Sequence, residues 1–197
     1  LLMALMLGLL TVPGEENSSL AKKNGYVINL DRAEKLEKMT YSSLFSKAGI
    51  IVLEDTDESL LGKVDKLEVC DNNLYVLEKG RGLFLFNKQG KFIKMIGRKG
   101  KGPGEYIDPG DISVDRENKK IYVLDSQTQN VLKYSSNGTF ESSFKLENKG
   151  TRSTFIQPFK NALYTNLYTF DESGKRFLLS KVDVTNGKRI SFQFEAS

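Results

Sequence analysis

Residues 71–92, DNNLYVLEKGRGLFLFNKQGKF, and residues 118–140, NKKIYVLDSQTQNVLKYSSNGTF, decide the fold. Leu74-Tyr75-Val76-Leu77 returns as Ile121-Tyr122-Val123-Leu124, Phe86 as Tyr134 and Gly90 as Gly138. Each recurrence comes about 47 residues further on, a spacing that marks stacked structural repeats. A weaker third copy follows: Ala162-Leu163-Tyr164 matches Lys120-Ile121-Tyr122, and LSKVDVTNG (Leu179 to Gly187) echoes LKYSSNG (Leu132 to Gly138).

Each unit contains four short runs rich in Val, Ile, Leu, Tyr and Phe. In the second they are Asp111–Val114, Ile121–Leu124, Asn130–Tyr134 and Thr139–Leu146. The turns between them are tight: Asp115 to Lys120, Asp125 to Gln129, and Ser135-Ser136-Asn137-Gly138. Asn-Gly is a strong hairpin signal because both residues tolerate positive φ. Connections this short force antiparallel neighbours, so each unit predicts a four-stranded meander. A repeated meander of about 45 residues is the pattern of a β-propeller blade, whose apolar faces are buried by stacking against the next. Ile121–Leu124 is apolar on both faces, as an inner strand between blades would be. The last strand alternates, with Phe140, Ser142, Phe144 and Leu146 expected on one face.

Composition excludes several kinds of chemistry. The chain of 197 residues has no histidine, which removes Ser-His-Asp and Cys-His catalysis and every His-based zinc site. Its one cysteine, Cys70, can form no internal disulfide or Cys cluster and reads as a small buried apolar residue. No metal or cofactor is expected. Trp is absent, while 8 Tyr and 12 Phe remain available for stacking. A formal charge of +4 without an arginine-rich run or an RNA-binding aromatic signature gives no case for nucleic acid.

The N-terminus, residues 1–14, reads as an export signal. Leu1 to Leu10 is nearly all Leu, Met and Ala, with Val12 and Gly14 suited to cleavage after Gly14. Ten apolar residues span about 15 Å as a helix, half of a bilayer core, so membrane association is expected only through this signal. No basic n-region precedes it, so the true start is expected upstream. No Cys follows that would carry a lipid anchor. The alternative is a buried N-terminal helix. Residues 15–43 form a linker and closing strand, with a helical turn near Tyr41–Phe45, and 44–197 form the repeat region.

Pro109-Gly110-Asp111-Ile112-Ser113-Val114-Asp115, then Ile121–Asp125, then Asn130–Tyr134 and Gly138, resemble an NHL-type propeller repeat. The segments Ile96-Gly97-Arg98-Lys99-Gly100-Lys101-Gly102-Pro103-Gly104-Glu105-Tyr106 and Val52–Lys63 resemble a six-bladed β-propeller family of exported proteins from gut anaerobes. The resemblance runs from about Leu44 to Gly138, with weaker support to Gly187. It implies an all-β propeller of four-stranded antiparallel blades, about three of six being present, closed by pairing an N-terminal segment with the last blade. Tyr26–Leu30 and Gly49–Leu53 are the candidate closing strands. An open half would expose apolar surface near Phe192 and Phe194, so the chain is expected to be the N-terminal half of a longer one.

Candidate ligand-binding residues are Arg98, Lys99, Lys101, Glu105, Tyr106 and Asp125. Four glycines and one proline from Gly97 to Tyr106 make a backbone-exposed crossover, whose N–H groups and three cations suit an anion. Glu105 and Tyr106 would reach toward a central channel. The plainer reading is that the glycines supply positive φ, Pro103 stiffens the turn and Tyr106 packs between blades. No Gly-Lys-Ser/Thr follows, so this is not a P-loop. Asp125 could ligate a metal with turn oxygens or, more simply, cap its own turn. Asp55, Asp57 and Glu58 lack the Gly and distal Glu of an EF-hand and read as a solvated loop. Lys91, Lys94, Arg98, Lys99 and Lys101 could attract an anionic polysaccharide, or serve as edge lysines that block strand pairing.

The reading favoured is a non-catalytic binding or scaffold module of the cell envelope, at the periplasm or the cell surface, with a glycan or protein partner. The alternatives are a carbohydrate-active lyase or hydrolase using Glu105, Tyr106 and Asp125 at the channel, and a truncated, non-functional product.

Overall fold

Alternating apolar runs with tight turns do fold as sheets. The computed structural model describes residues 4–6, 40, 45–147, 152–166, 169–170 and 176–195. The chain divides into two compact units, Leu1–Val52 and Leu53–Ser197. In the first, β1 (Ala4–Met6) pairs antiparallel with β2 (Ile50–Val52). Of the expected closing strands, Gly49–Leu53 pairs not with a last blade but, at Ile50–Val52, with Ala4–Met6. Tyr26–Leu30, the rest of residues 1–14 and the turn at Tyr41–Leu44 lie outside the described residues. Among the described residues no helix is long and apolar enough to cross a membrane.

The second unit holds three antiparallel meanders. The first sheet runs β3 (Lys66–Cys70), β4 (Asn73–Glu78), β5 (Gly82–Asn87) and β6 (Phe92–Ile96). The second runs β7 (Pro109–Asp115), β8 (Lys120–Asp125), β9 (Asn130–Ser135) and β10 (Phe140–Lys145). The third uses β11 (Ile156–Phe159), β12 (Ala162–Thr165), β13 (Thr169–Phe170), β14 (Arg176–Asp183) and β15 (Arg189–Glu195). There β12 and β13 follow one another along one edge of β14 and β15 takes the other, so the third sheet also has four strand positions. Each sheet stays open, and no closed propeller is seen among the described residues.

Strand β8 explains why the sheets stack. Its side chains alternate between two cores, because successive residues of a strand point to opposite faces. Ile121 and Val123 join Tyr75, Leu77, Leu83 and Leu85 of the first sheet, while Tyr122 and Leu124 join Ile156, Leu163 and Val182 of the third. Each fully buried aliphatic side chain contributes about 1.5–3 kcal/mol. A sheet apolar on both faces therefore needs a neighbour on each.

The outer hairpins carry a device that the residue pattern hides. Phe86 pairs with Phe92 but Leu85 with Lys94, Tyr134 with Phe140 but Lys133 with Ser142, and Val182 with Arg189 but Lys181 with Ser191. One residue is extra each time: Ile93, Glu141 and Ile190. A one-residue slip reverses the faces of a strand. Phe140 accordingly packs on the first core while Phe144 and Leu146 enter the second, which corrects the expectation of one shared face. The side chains of Phe192 and Phe194 lie outside the described residues.

Candidate functional site

The glycine-rich crossover from β6 to β7 is held by its own residues. Tyr106 N–H donates to the Arg98 carbonyl at 3.0 Å, and Gly100 N–H donates back to the Tyr106 carbonyl at 3.1 Å. The Glu105 carboxylate closes the loop, accepting from Arg98 Nε at 2.6 Å and from Gly102 N–H at 2.9 Å. The Gly102 N–H, then the Arg98 guanidinium, hold its pKa below the usual carboxylate value. Gly97 is required on two counts: its φ is +69°, and a Cβ there would lie 2.6 Å from the Tyr106 ring.

Tyr106 is fully buried. Its hydroxyl accepts from Leu83 N–H at 3.1 Å and donates to the Ile96 carbonyl at 3.0 Å, so it splices the end of the β5–β6 ladder. Burial pushes its pKa up. Tyr134 donates to the Gly104 carbonyl at 3.1 Å and fastens the same loop from the next sheet. Asp125, 2% exposed, accepts three backbone N–H groups: Ile107 at 2.8 Å, Gln127 at 2.9 Å and Thr128 at 3.1 Å. It ties the crossover to the β8–β9 turn.

These two loops enclose a groove of about 730 Å³. Of the residues singled out from sequence, Lys101, Glu105 and Asp125 line it, and Arg98, Lys99 and Tyr106 do not. Arg98 lies outside as the partner of Glu105, Lys99 is exposed, and Tyr106 sits below in the core. The rest of the wall mixes small polar side chains, Thr128, Asn130, Ser142 and Ser143, with the apolar Pro103, Ile107, Leu132 and Phe140. Those polar residues had no motif to reveal them, because only the hairpin pairing of β9 with β10 brings Asn130 near Ser143.

A second polar cluster lies on the first strands of the sheets. Lys66 on β3 pairs with Asp111 on β7 at 2.8 Å, and the other oxygen of Asp111 accepts from Ile156 N–H on β11 at 2.9 Å. Glu68 lies 3.8 Å from Lys66 and 3.4 Å from Arg116, and burial nevertheless raises its pKa. The signal was present as polar residues alternating with apolar ones in Lys66-Leu67-Glu68-Val69 and Asp111-Ile112-Ser113-Val114. The acidic loop is built otherwise. Asp55, Asp57 and Glu58 are exposed, while Ser59 turns inward and donates to the Glu54 carbonyl at 2.8 Å. Lys91 of the basic stretch pairs with Glu54 at 3.1 Å. Among the described residues no three His, Cys, Asp or Glu side chains converge as metal ligands.

One family model, described as a domain of unknown function (DUF4934), matches residues 25–195. Among solved structures, the chain is similar to a protein of Bacteroides fragilis provisionally named as exported, with 26% identity and a TM-score of 0.63. The match covers 75% of this chain and 42% of that one, so the chain spans less than half the length of the protein it resembles. No curated protein matches it. The NHL-type repeat suggested by residues 109–138 and the six-bladed family suggested by residues 52–63 and 96–106 are therefore corrected: the family that matches is DUF4934, and the sheets are open. The misreading has a physical cause. Strand-turn-strand runs such as IYVLD and an Asn-Gly hairpin answer to sheet burial and turn geometry, which unrelated β families share.

Proposed function

The chain belongs to the DUF4934 family, and on that premise we propose that it is a non-catalytic binding or scaffold module of the cell envelope that takes a glycan or peptide in the groove beside Gly100–Ile107. One observation carries this reading. The groove offers backbone, hydroxyl and amide groups, while both of its carboxylates are consumed in holding loops together. A general acid or base needs a carboxyl within reach of substrate and with a pKa near working pH. Glu105 is held ionised and Tyr106 is enclosed, which weighs against a lyase or hydrolase built on them.

Export is supported by the Leu1–Leu10 run and by the name of the Bacteroides fragilis protein. The three sheets are proposed to be consecutive propeller blades. Supporting this, the first strands β3, β7 and β11 neighbour one another through Lys66, Asp111 and Ile156, as the innermost strands of radially stacked blades would.

Ser142 is exposed on the groove wall, so Ser142→Trp fills the groove without touching the core. Glycan arrays and peptide panels on the intact chain should show a ligand that this variant loses, with its melting temperature unchanged. A ligand retained by Ser142→Trp would place binding elsewhere and overturn the proposal for this groove.

A further inference from the structure

Tyr75 and Tyr122 hold the same place in consecutive sheets, the Tyr of LYVL and of IYVL. Tyr75 donates its hydroxyl to the Ser136 carbonyl at 2.8 Å, so it is bonded to the outer hairpin of the next sheet. Tyr122 is equally enclosed, 3% exposed, with its ring in the core between the second and third sheets. Among the described residues its hydroxyl has no hydrogen-bond partner. It borders a cavity of about 210 Å³ that Asn118, Asn161 and Val184 also line. The ring is buried while the hydroxyl opens onto this cavity, where it is available to a polar ligand.

The cavity wall defines that occupant. Asp115 accepts from Asn118 N–H at 3.0 Å and from Asn118 Nδ2 at 2.8 Å, and Asn118 Nδ2 also reaches Asn161 Oδ1 at 3.3 Å. These side chains are fixed before any ligand arrives. Lys120 and Lys133 line the opposite wall, both paired with Glu141. Two ammoniums and two carboxylates balance, so the site selects neither a cation nor an anion. What remains is an alternation of donors and acceptors, with the methyls of Ala162 and Val184 beside them. A neutral ring bearing several hydroxyls matches that surface. The geometry points to a subsite for one pyranose unit in this cavity, hydrogen-bonded to the Tyr122 hydroxyl. It lies at the end of β8 opposite the glycine-rich groove, and it stands or falls independently of that groove.

The test is NMR titration of the full chain with methyl β-D-glucopyranoside and methyl β-D-galactopyranoside, with acetate and tetramethylammonium as charged controls. At least one glycoside should give saturable shifts at Tyr122, Asn118 and Asn161, and the charged probes none. Tyr122→Phe removes only the unbonded hydroxyl. It should weaken binding about tenfold without lowering the melting temperature. Tyr75→Phe, which breaks the bond to Ser136, should lower stability and leave binding unchanged. Saturable shifts from neither glycoside, equal affinity in Tyr122→Phe, or a preference for acetate or tetramethylammonium would each overturn the inference.

Discussion

Replacing Tyr106 by Phe tests whether the glycine-rich crossover holds the second unit together. The hydroxyl is the sole atom removed, and it serves Leu83 N–H and the Ile96 carbonyl, two backbone groups at the end of the β5–β6 ladder. Leu83, Ile96 and Tyr106 are all fully buried, so water does not replace the lost partner. A buried backbone group left unpaired costs about 1–3 kcal/mol. The strands are also prevented from closing the gap. Hypothetical Cβ atoms on Gly82 and Gly97 would sit 2.6 Å from the Tyr106 side chain, so the ring fills its slot and Phe will keep that position. The expected loss is about 3 kcal/mol for the two groups, or about 6–12 °C in melting temperature for a domain of this size. Urea unfolding followed by far-ultraviolet circular dichroism and by tyrosine fluorescence measures it, and an unchanged denaturant slope keeps the comparison two-state. A loss below about 1 kcal/mol with the slope intact would exclude this role for the hydroxyl. It would mean that Leu83 N–H and the Ile96 carbonyl bond directly once the hydroxyl is gone.

Two further perturbations have clear expected directions. Gly187 has φ +74° and a Cβ there would lie 2.0 Å from the Lys145 carbonyl oxygen, whereas Gly80, at φ +86°, faces open space. Gly80→Ala should therefore cost only the left-handed backbone penalty of about 1–2 kcal/mol, and Gly187→Ala clearly more, as read by the shift in urea midpoint. Glu54 is held below its ordinary pKa by Phe92 N–H first and Lys91 second. A carboxylate with a depressed folded pKa contributes stability above its unfolded value, lost as pH falls through the folded one. Wild type should melt above Glu54→Gln at neutral pH, and the two should converge in acid.

Strand positions were readable because each carries a local signal. Ile121–Leu124 is apolar on both faces, and Asn137-Gly138 marks a hairpin, Gly138 indeed having φ +77°. The bulges at Ile93, Glu141 and Ile190 were not readable. They arise from cross-strand register, and nothing in Phe140-Glu141-Ser142 says which residue goes unpaired. The site divided the same way. Lys101, Glu105 and Asp125 stood out as glycine-loop and turn residues. Thr128, Asn130, Ser142 and Ser143 are unremarkable polar residues until two strands and a crossover bring them to one wall. Family membership was the least readable, since turns and inner strands repeat wherever sheets stack.

Four acidic side chains share one structural role. Asp125 takes three backbone N–H groups, Asp111 takes one and a lysine, Glu54 takes Phe92 N–H and Lys91, and Glu105 takes Gly102 N–H and Arg98. Each acts as a clamp that joins segments distant in sequence or closes a loop. Catalysis by such a group would break the clamp each time it took a proton, loosening the wall that has to hold the substrate. Glu105→Gln separates the two roles. The amide oxygen still accepts from Gly102 N–H, and only the ion pair with Arg98, whose side chain is 82% exposed, is lost. Solvent screens an exposed pair and leaves it little weight, so the groove and any ligand affinity should survive. Turnover of a polysaccharide by the native chain that vanishes in Glu105→Gln, with the fold and binding intact, would make Glu105 a catalytic acid and end the binding-module reading.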